Sequence, residues 1–191
     1  MKNKNVAAFI LAAGLALSLP LACSTPNNNA FPLVGAQPTP CSGVFGNNVK
    51  EPTQSGNTEA MFLNRFQAAR DCSLIAINVY IYDNGQVQGG VYADDGSGNP
   101  TTLLADTGPS YISNPDGWNA VTLSSSLSLK NGTHYWLAMH TNAWFYSLTG
   151  SGIGYGSQDI GMAFGSLPAT YTGGPYAPNA SLISLYGTTC P

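Results

Sequence analysis

The stretch Ile75-Ala76-Ile77-Asn78-Val79-Tyr80-Ile81-Tyr82 changes character at every step, its odd positions aliphatic and its later even positions polar or aromatic. A β-strand sends successive side chains to opposite faces. This period of two therefore predicts a strand with Ile75, Ile77, Val79 and Ile81 buried and with Asn78, Tyr80 and Tyr82 turned away. The next run, Val87 to Ala93, keeps Val87, Val91 and Ala93 in the same phase. Asp83-Asn84-Gly85-Gln86 lies between them, and Asn-Gly between alternating runs signals a hairpin. A two-residue loop would oppose Tyr82 to Val87 and mix the two faces. A three-residue loop, Asn84 to Gln86, opposes Asp83 to Val87, Val79 to Val91 and Ile77 to Ala93. The aliphatic faces then coincide, so an odd-length loop with a left-handed residue at or beside Gly85 is expected.

That register collects Asn78, Tyr80, Tyr82, Gln88, Gly90 and Tyr92 on a single outward face. Tyrosine faces stack on the C–H side of sugar rings while neighbouring amides bond hydroxyls, so Asn78, Tyr80, Tyr82, Gln88 and Tyr92 are the candidate ligand platform. Tyrosine also favours strands for packing alone, and structural tyrosines are the competing account of the same residues.

Further strand runs flank this pair: Ala60 to Ala68, Asn119 to Leu123, His134 to Thr141, Trp144 to Leu148 and Leu182 to Tyr186. Clusters of Gly, Asn, Asp and Pro separate them, and no window carries a capped helical period. Short strands punctuated in this way predict an all-β, two-layer antiparallel β-sandwich of jelly-roll type.

The chain's beginning reads as an export signal. Lys2 and Lys4 give a positive start, and Val6 to Leu17 is an apolar run too short to span a bilayer. Residues 1–22 are thus expected to be a signal peptide. Pro20-Leu21-Ala22-Cys23 resembles a bacterial lipoprotein cleavage box, with Pro20 where that box prefers Leu. The resemblance implies that Cys23 becomes the acylated N-terminus, which holds the protein at the cell envelope by lipid alone. Ser24 after the cysteine would favour the outer membrane. Ordinary cleavage after Ser24, releasing a secreted protein, is the alternative. Residues 23–40, rich in Pro and Asn and without hydrophobic period, are expected to form a flexible tether. Residues 41–191 then form one domain, long enough to bury a core without cross-links.

Charged residues make up only 8% of the chain. Without Lys2 and Lys4 the cations are Lys50, Arg65, Arg70 and Lys130 against nine acids, a net charge of −5. Four scattered cations cannot neutralise a phosphate backbone, which argues against a nucleic-acid partner. The Ser, Thr, Asn, Gly and Tyr that must cover the surface suit hydrogen bonding to neutral polar ligands.

Several blocks together resemble the jelly-roll surface modules grouped as choice-of-anchor domains. They are Ile77-Asn78-Val79-Tyr80, Gly90-Val91-Tyr92-Ala93-Asp94, Thr102-Leu103-Leu104-Ala105, Gly117-Trp118-Asn119-Ala120-Val121-Thr122-Leu123, and Gly132-Thr133-His134-Tyr135-Trp136-Leu137-Ala138. Phe164-Gly165-Ser166-Leu167-Pro168 and Ser184-Leu185-Tyr186 complete the pattern. The resemblance implies a non-catalytic sandwich displayed on a cell surface, with no catalytic residues to carry over and no defined ligand. First and last strands of jelly rolls commonly lie antiparallel in one sheet. That geometry would bring Cys41 and Cys190 together as a disulfide, leaving Cys72 as a buried thiol; pairing of Cys41 with Cys72 is the rival.

The remaining chemistry is sparse. His134 and His140 share a strand face but lie too far apart for one metal, and no Cys-x-x-Cys or His-x-x-His accompanies them. Asp94-Asp95-Gly96-Ser97-Gly98-Asn99 clusters oxygen ligands of the kind calcium takes, without the spacing or terminal Glu of an EF-hand. A tight strand connection needs the same residues. There is no nucleophile elbow and no phosphate-binding loop before a helix. No catalytic residue, metal or cofactor is therefore expected. A glycan or envelope polymer is the expected ligand, a passive scaffold with protein partners the alternative, and an extracellular hydrolase a more distant one.

Overall fold

The computed structural model describes residues 43–55, 60–112, 114–148, 156–160, 164–172 and 182–190. The expected signal peptide (1–22), the acyl site Cys23, the tether (23–40) and Cys41 lie outside the described residues. The described chain is all-β: two antiparallel sheets pack face to face as a two-layer sandwich, with no helix among the described residues.

The seven-stranded sheet contains β1 (Val44–Asn47), β2 (Thr53–Ser55), β4 (Cys72–Ile81), β8 (Gly117–Leu129), β10 (Phe145–Leu148), β12 (Leu182–Ile183) and β13 (Leu185–Cys190). The six-stranded sheet contains β3 (Ala60–Gln67), β5 (Gly85–Asp94), β6 (Pro100–Asp106), β7 (Ser110–Ile112), β9 (His134–Thr141) and β11 (Gly156–Ile160). In the first sheet β4 is central. It pairs with β8 along its length, and on its other side with β13 and, at its end, β10. In the second, β9 is central between β3 and β5. The first and last strands, β1 and β13, are antiparallel neighbours with Val44 opposite Thr188.

Strand phase is as the sequence predicts, but strand pairing is not. Ile77, Val79, Ile81, Val87 and Val91 are all fully buried in one core between the sheets. The expected hairpin register, Val79 against Val91 and Ile77 against Ala93, does not form. Val79 pairs with Leu185 and Asn119, whereas Val91 pairs with Leu137 and Ala105. β4 and β5 belong to different sheets, and residues 82–84 carry the chain across the sandwich. Two strands with matching aliphatic phase can share a core side by side or face to face, and phase alone does not choose. Packing chooses here: Gly89 leaves room for Ile77, and a Cβ on Gly89 would lie 2.9 Å from Ile77 Cβ. Gly85 starts β5 without a left-handed conformation, so the expected bulge at the loop is absent too.

A bulge does occur within β4. Register shifts between Leu74 and Ala76 against β8, and between Thr188 and Thr189 against β13. Leu74 therefore joins the core at full burial, and Ile75, expected inside, is only half-buried.

β9 explains its own unbroken apolar run, Tyr135 to Met139. Tyr135, Leu137 and Met139 face the inter-sheet core. Trp136 and Ala138 face outward into a second cluster with Met61, Leu63, Tyr92, Leu167 and Tyr171. A strand buried on both faces has no polar side to alternate with. The cover is a strap at 164–172, held to β6 by the bonds Leu103 N–Ala169 O (2.9 Å) and Tyr171 N–Thr101 O (2.8 Å).

Candidate functional site

Because β4 and β5 lie in opposite sheets, the five platform residues divide between two outer faces. Asn78, Tyr80 and Tyr82 belong to the outer side of the seven-stranded sheet, Gln88 and Tyr92 to the outer side of the other.

Tyr92 and Gln88 are 0% and 2% exposed. The Tyr92 hydroxyl donates to Pro168 O at 2.9 Å beneath the strap, and its ring meets Tyr171 edge-on. Burial pushes its ionisation upward from the usual phenol range. Tyr92 is a wall of the second core and Gln88 is buried on the same sheet, which corrects the expectation of a single five-residue platform. Asn78 is also buried, its amide donating to Thr188 Oγ1 at 2.8 Å across to β13.

Tyr80 and Tyr82 remain, and they belong to a longer row. Tyr186, Trp118, Tyr80, Tyr146 and Tyr82 form an unbroken edge-to-face succession at centroid spacings of 4.8, 5.3, 5.2 and 6.1 Å. Each side chain comes from the outward phase of β13, β8, β4 or β10, or from the residue after β4. Perpendicular rings set the positive edge of one against the negative face of the next, an attraction beyond area burial. Trp118, Tyr146 and Tyr186 were not among the sequence candidates. Their alternation was visible, but only the sheet order makes them neighbours.

Asp116 organises the centre of this row. It occupies the left-handed region at φ 50°, which is uncommon for residues other than Gly but which Asp, like Asn, tolerates better than most. Its backbone is held on both sides: Asp116 N donates to Tyr82 O (3.1 Å), and Tyr80 OH donates to Asp116 O (2.7 Å). Its carboxylate accepts from Lys50 Nζ at 2.9 Å and from Tyr146 OH at 3.1 Å. Lys50 Nζ also lies 4.8 Å above the Tyr80 ring and 4.3 Å above the Tyr146 ring, where the ring quadrupole attracts a cation. The Asp116 hydrogen bond, followed by the two tyrosines, holds the ammonium well above its usual range. The Lys50 hydrogen bond, then Tyr146, holds the Asp116 carboxyl below its own. An open depression of about 570 Å³ beside this centre is lined by residues 50–54 and Tyr146.

Elsewhere, the Asp94–Asn99 loop spends its carboxylates on itself and its neighbours. Asp94 accepts from Arg65 Nε (2.6 Å), Arg65 Nη2 (2.9 Å), Trp136 Nε1 (2.8 Å) and Gly96 N (2.9 Å). Burial alone would raise its pKa, but Arg65, Trp136 and Gly96 outweigh it and the net direction is downward. Asp95 closes the turn onto Ser97 N and Asn99. A guanidinium already fills the position a divalent cation would take at Asp94. His134 is half-buried at one end of β9. His140 is fully buried at the other, against the Phe164 ring at 5.1 Å.

Compared with known proteins, the chain matches no family model and no curated sequence.

Proposed function

We propose that this domain is a non-catalytic cell-surface module, displayed through an acylated Cys23, that binds a glycan or envelope polymer on the outer face of its seven-stranded sheet. The choice-of-anchor resemblance and the export signal support the placement. The observation that carries the binding reading is the five-ring row from Tyr186 to Tyr82, which ends on a 43%-exposed tyrosine. An outward sheet face that needed only stability would be covered, as the strap covers Trp136 and Tyr92. On the opposite face Tyr82 is exposed, Tyr80, Trp118 and Tyr186 are half-buried, and Tyr146 is buried between them.

The test is a glycan-array screen of the mature protein beside Trp118→Ala/Tyr186→Ala. The parent should give a discrete set of signals and the variant should lose them while keeping its circular-dichroism spectrum. A folded parent that binds no glycan would overturn the reading. The alternative, a scaffold that meets protein partners, draws support from Lys50 lying over the Tyr80 and Tyr146 faces, which leaves the rings at the ends of the row to make contacts.

A further inference from the structure

Beyond Tyr82, where the ring succession ends, lie further exposed aromatics. Tyr82 N donates to Trp144 O at 2.7 Å, and Trp144 N donates to Asp83 Oδ1 at 2.8 Å. Trp144 is 40% exposed, and Tyr111, on β7 opposite Gln86, is 67% exposed. Three of the most exposed aromatics among the described residues thus gather where the chain crosses between sheets. The N-terminal segment joins the domain at the other end, where Thr189 N bonds Gly43 O and Thr189 faces Leu74. Eight residues of β4 separate Leu74 from Tyr82, roughly 25 Å at the rise of a strand. A domain tethered at its N-terminus would present Tyr82 and Trp144 at its far tip.

The cation on the row is neutralised locally, and the neighbouring acids leave the face net negative. The ammonium of Lys50 is engaged by Asp116 and two ring faces. Glu51 is 6% exposed and accepts from Asn47 Nδ2 at 2.7 Å. Asp83 caps the Trp144 amide. No described cation on this face is left without an anion, so a polyuronate or other polyanion would meet nothing to balance it, on a mature chain of net charge −5. Among the described residues the depression beside Tyr146 is open rather than walled, which suits the internal units of a chain passing over it rather than a captured chain end.

Resting on the binding reading above, we infer that the ligand is an uncharged, extended polysaccharide. It spans the row, contacting Trp118 on one side of Lys50 and Tyr82 and Trp144 at the tip, and is held through several internal units at once. Aromatic faces supply contact area at low entropic cost and need no charge on the partner. Contacts spread along a row make affinity rise with chain length until the row is filled.

Affinity gel electrophoresis of the mature domain tests this, with soluble neutral polysaccharides (a β-glucan, a xylan, a mannan) and alginate as the polyanion. At least one neutral polymer should retard migration, about equally in low salt and in ~0.5 M NaCl, where exposed charges are screened. Oligosaccharides of that polymer should compete better with each added unit over the first several. Tyr82→Ala/Trp144→Ala, at exposed positions that spare the core, should weaken retardation about tenfold. Preference for alginate that fades with salt would overturn the inference while leaving glycan binding intact. Competition by a monosaccharide as effective as by its oligomers would overturn the extended mode. Binding to none of the polymers would overturn both the inference and the reading beneath it.

Discussion

At the scale of single residues, Asp94 shows how a polar loop can be structural. Its side chain is 4% exposed and its partner Arg65 is 15% exposed, so the pair spans β5 and β3 largely out of water, with Trp136 of β9 between them. Removing one partner of such a pair strands the other charge. Asp94→Asn should cost about 3 kcal/mol in urea unfolding at neutral pH. The sign with pH follows from the lowered carboxyl. An unfolded Asp titrates near ~3.9 and the folded one below it, so the pair's contribution is present above about pH 4. It is lost as pH falls through the folded value. Parent stability should therefore drop on acidification below about pH 4 with a component that Asp94→Asn lacks. Parallel curves for the two proteins between pH 5 and 2 would refute the assignment. The sequence displayed this cluster of acids plainly but not Arg65, which lies 29 residues upstream and joins it only through strand order.

At the scale of elements, period-two alternation was fully legible and its partner choice was not. Ile77, Val79 and Val91 point inward as the alternation requires, and the bounds of β9 match the sequence reading at both ends. Three things hid from the sequence for physical reasons. The Asn-Gly signal at 84–85 reports a bend, which serves a crossover between sheets as well as a hairpin. The bulge beside Ile75 has no glycine to announce it. The strap over Tyr92 carries too few apolar residues to look like a core element, although Leu167 and Tyr171 suffice to bury that face. The crossover is testable at Gly89, whose missing side chain admits Ile77 from the facing sheet. Gly89→Ala would ordinarily favour a strand interior by restricting the unfolded chain. Here it should instead cost about 1–3 kcal/mol by overpacking. Gly43→Ala, where nothing lies within 4 Å, should change little. Denaturant midpoints of the two variants give the comparison, and a stabilised Gly89→Ala would rule out the face-to-face placement.

At the scale of the whole molecule, the ends of the domain meet. β1 and β13 share a ladder, so a covalent link near Gly43 and Cys190 would close nearly the whole domain into one loop, while the Cys41–Cys72 rival closes only its first part. Direction of side chains separates Cys72 from Cys190. Cys190 stands opposite Ser73, and directly opposed residues in a ladder share a face. Cys72 is the next residue along β4, so it points to the other side, where it packs against the core. A bond between Cys72 and Cys190 is thereby disfavoured, and we propose Cys41–Cys190 as the bridge. On the chain-entropy view a loop of that length contributes up to ~5 kcal/mol. Peptide mapping without reduction should recover a cross-linked fragment containing Cys41 and Cys190, with Cys72 alkylated only after unfolding. Cys190→Ser should lower the unfolding midpoint far more than Cys72→Ser. A Cys41–Cys72 fragment in the map, or equal loss in the two serine variants, would show that the domain is closed by its hydrogen-bonded ladder alone.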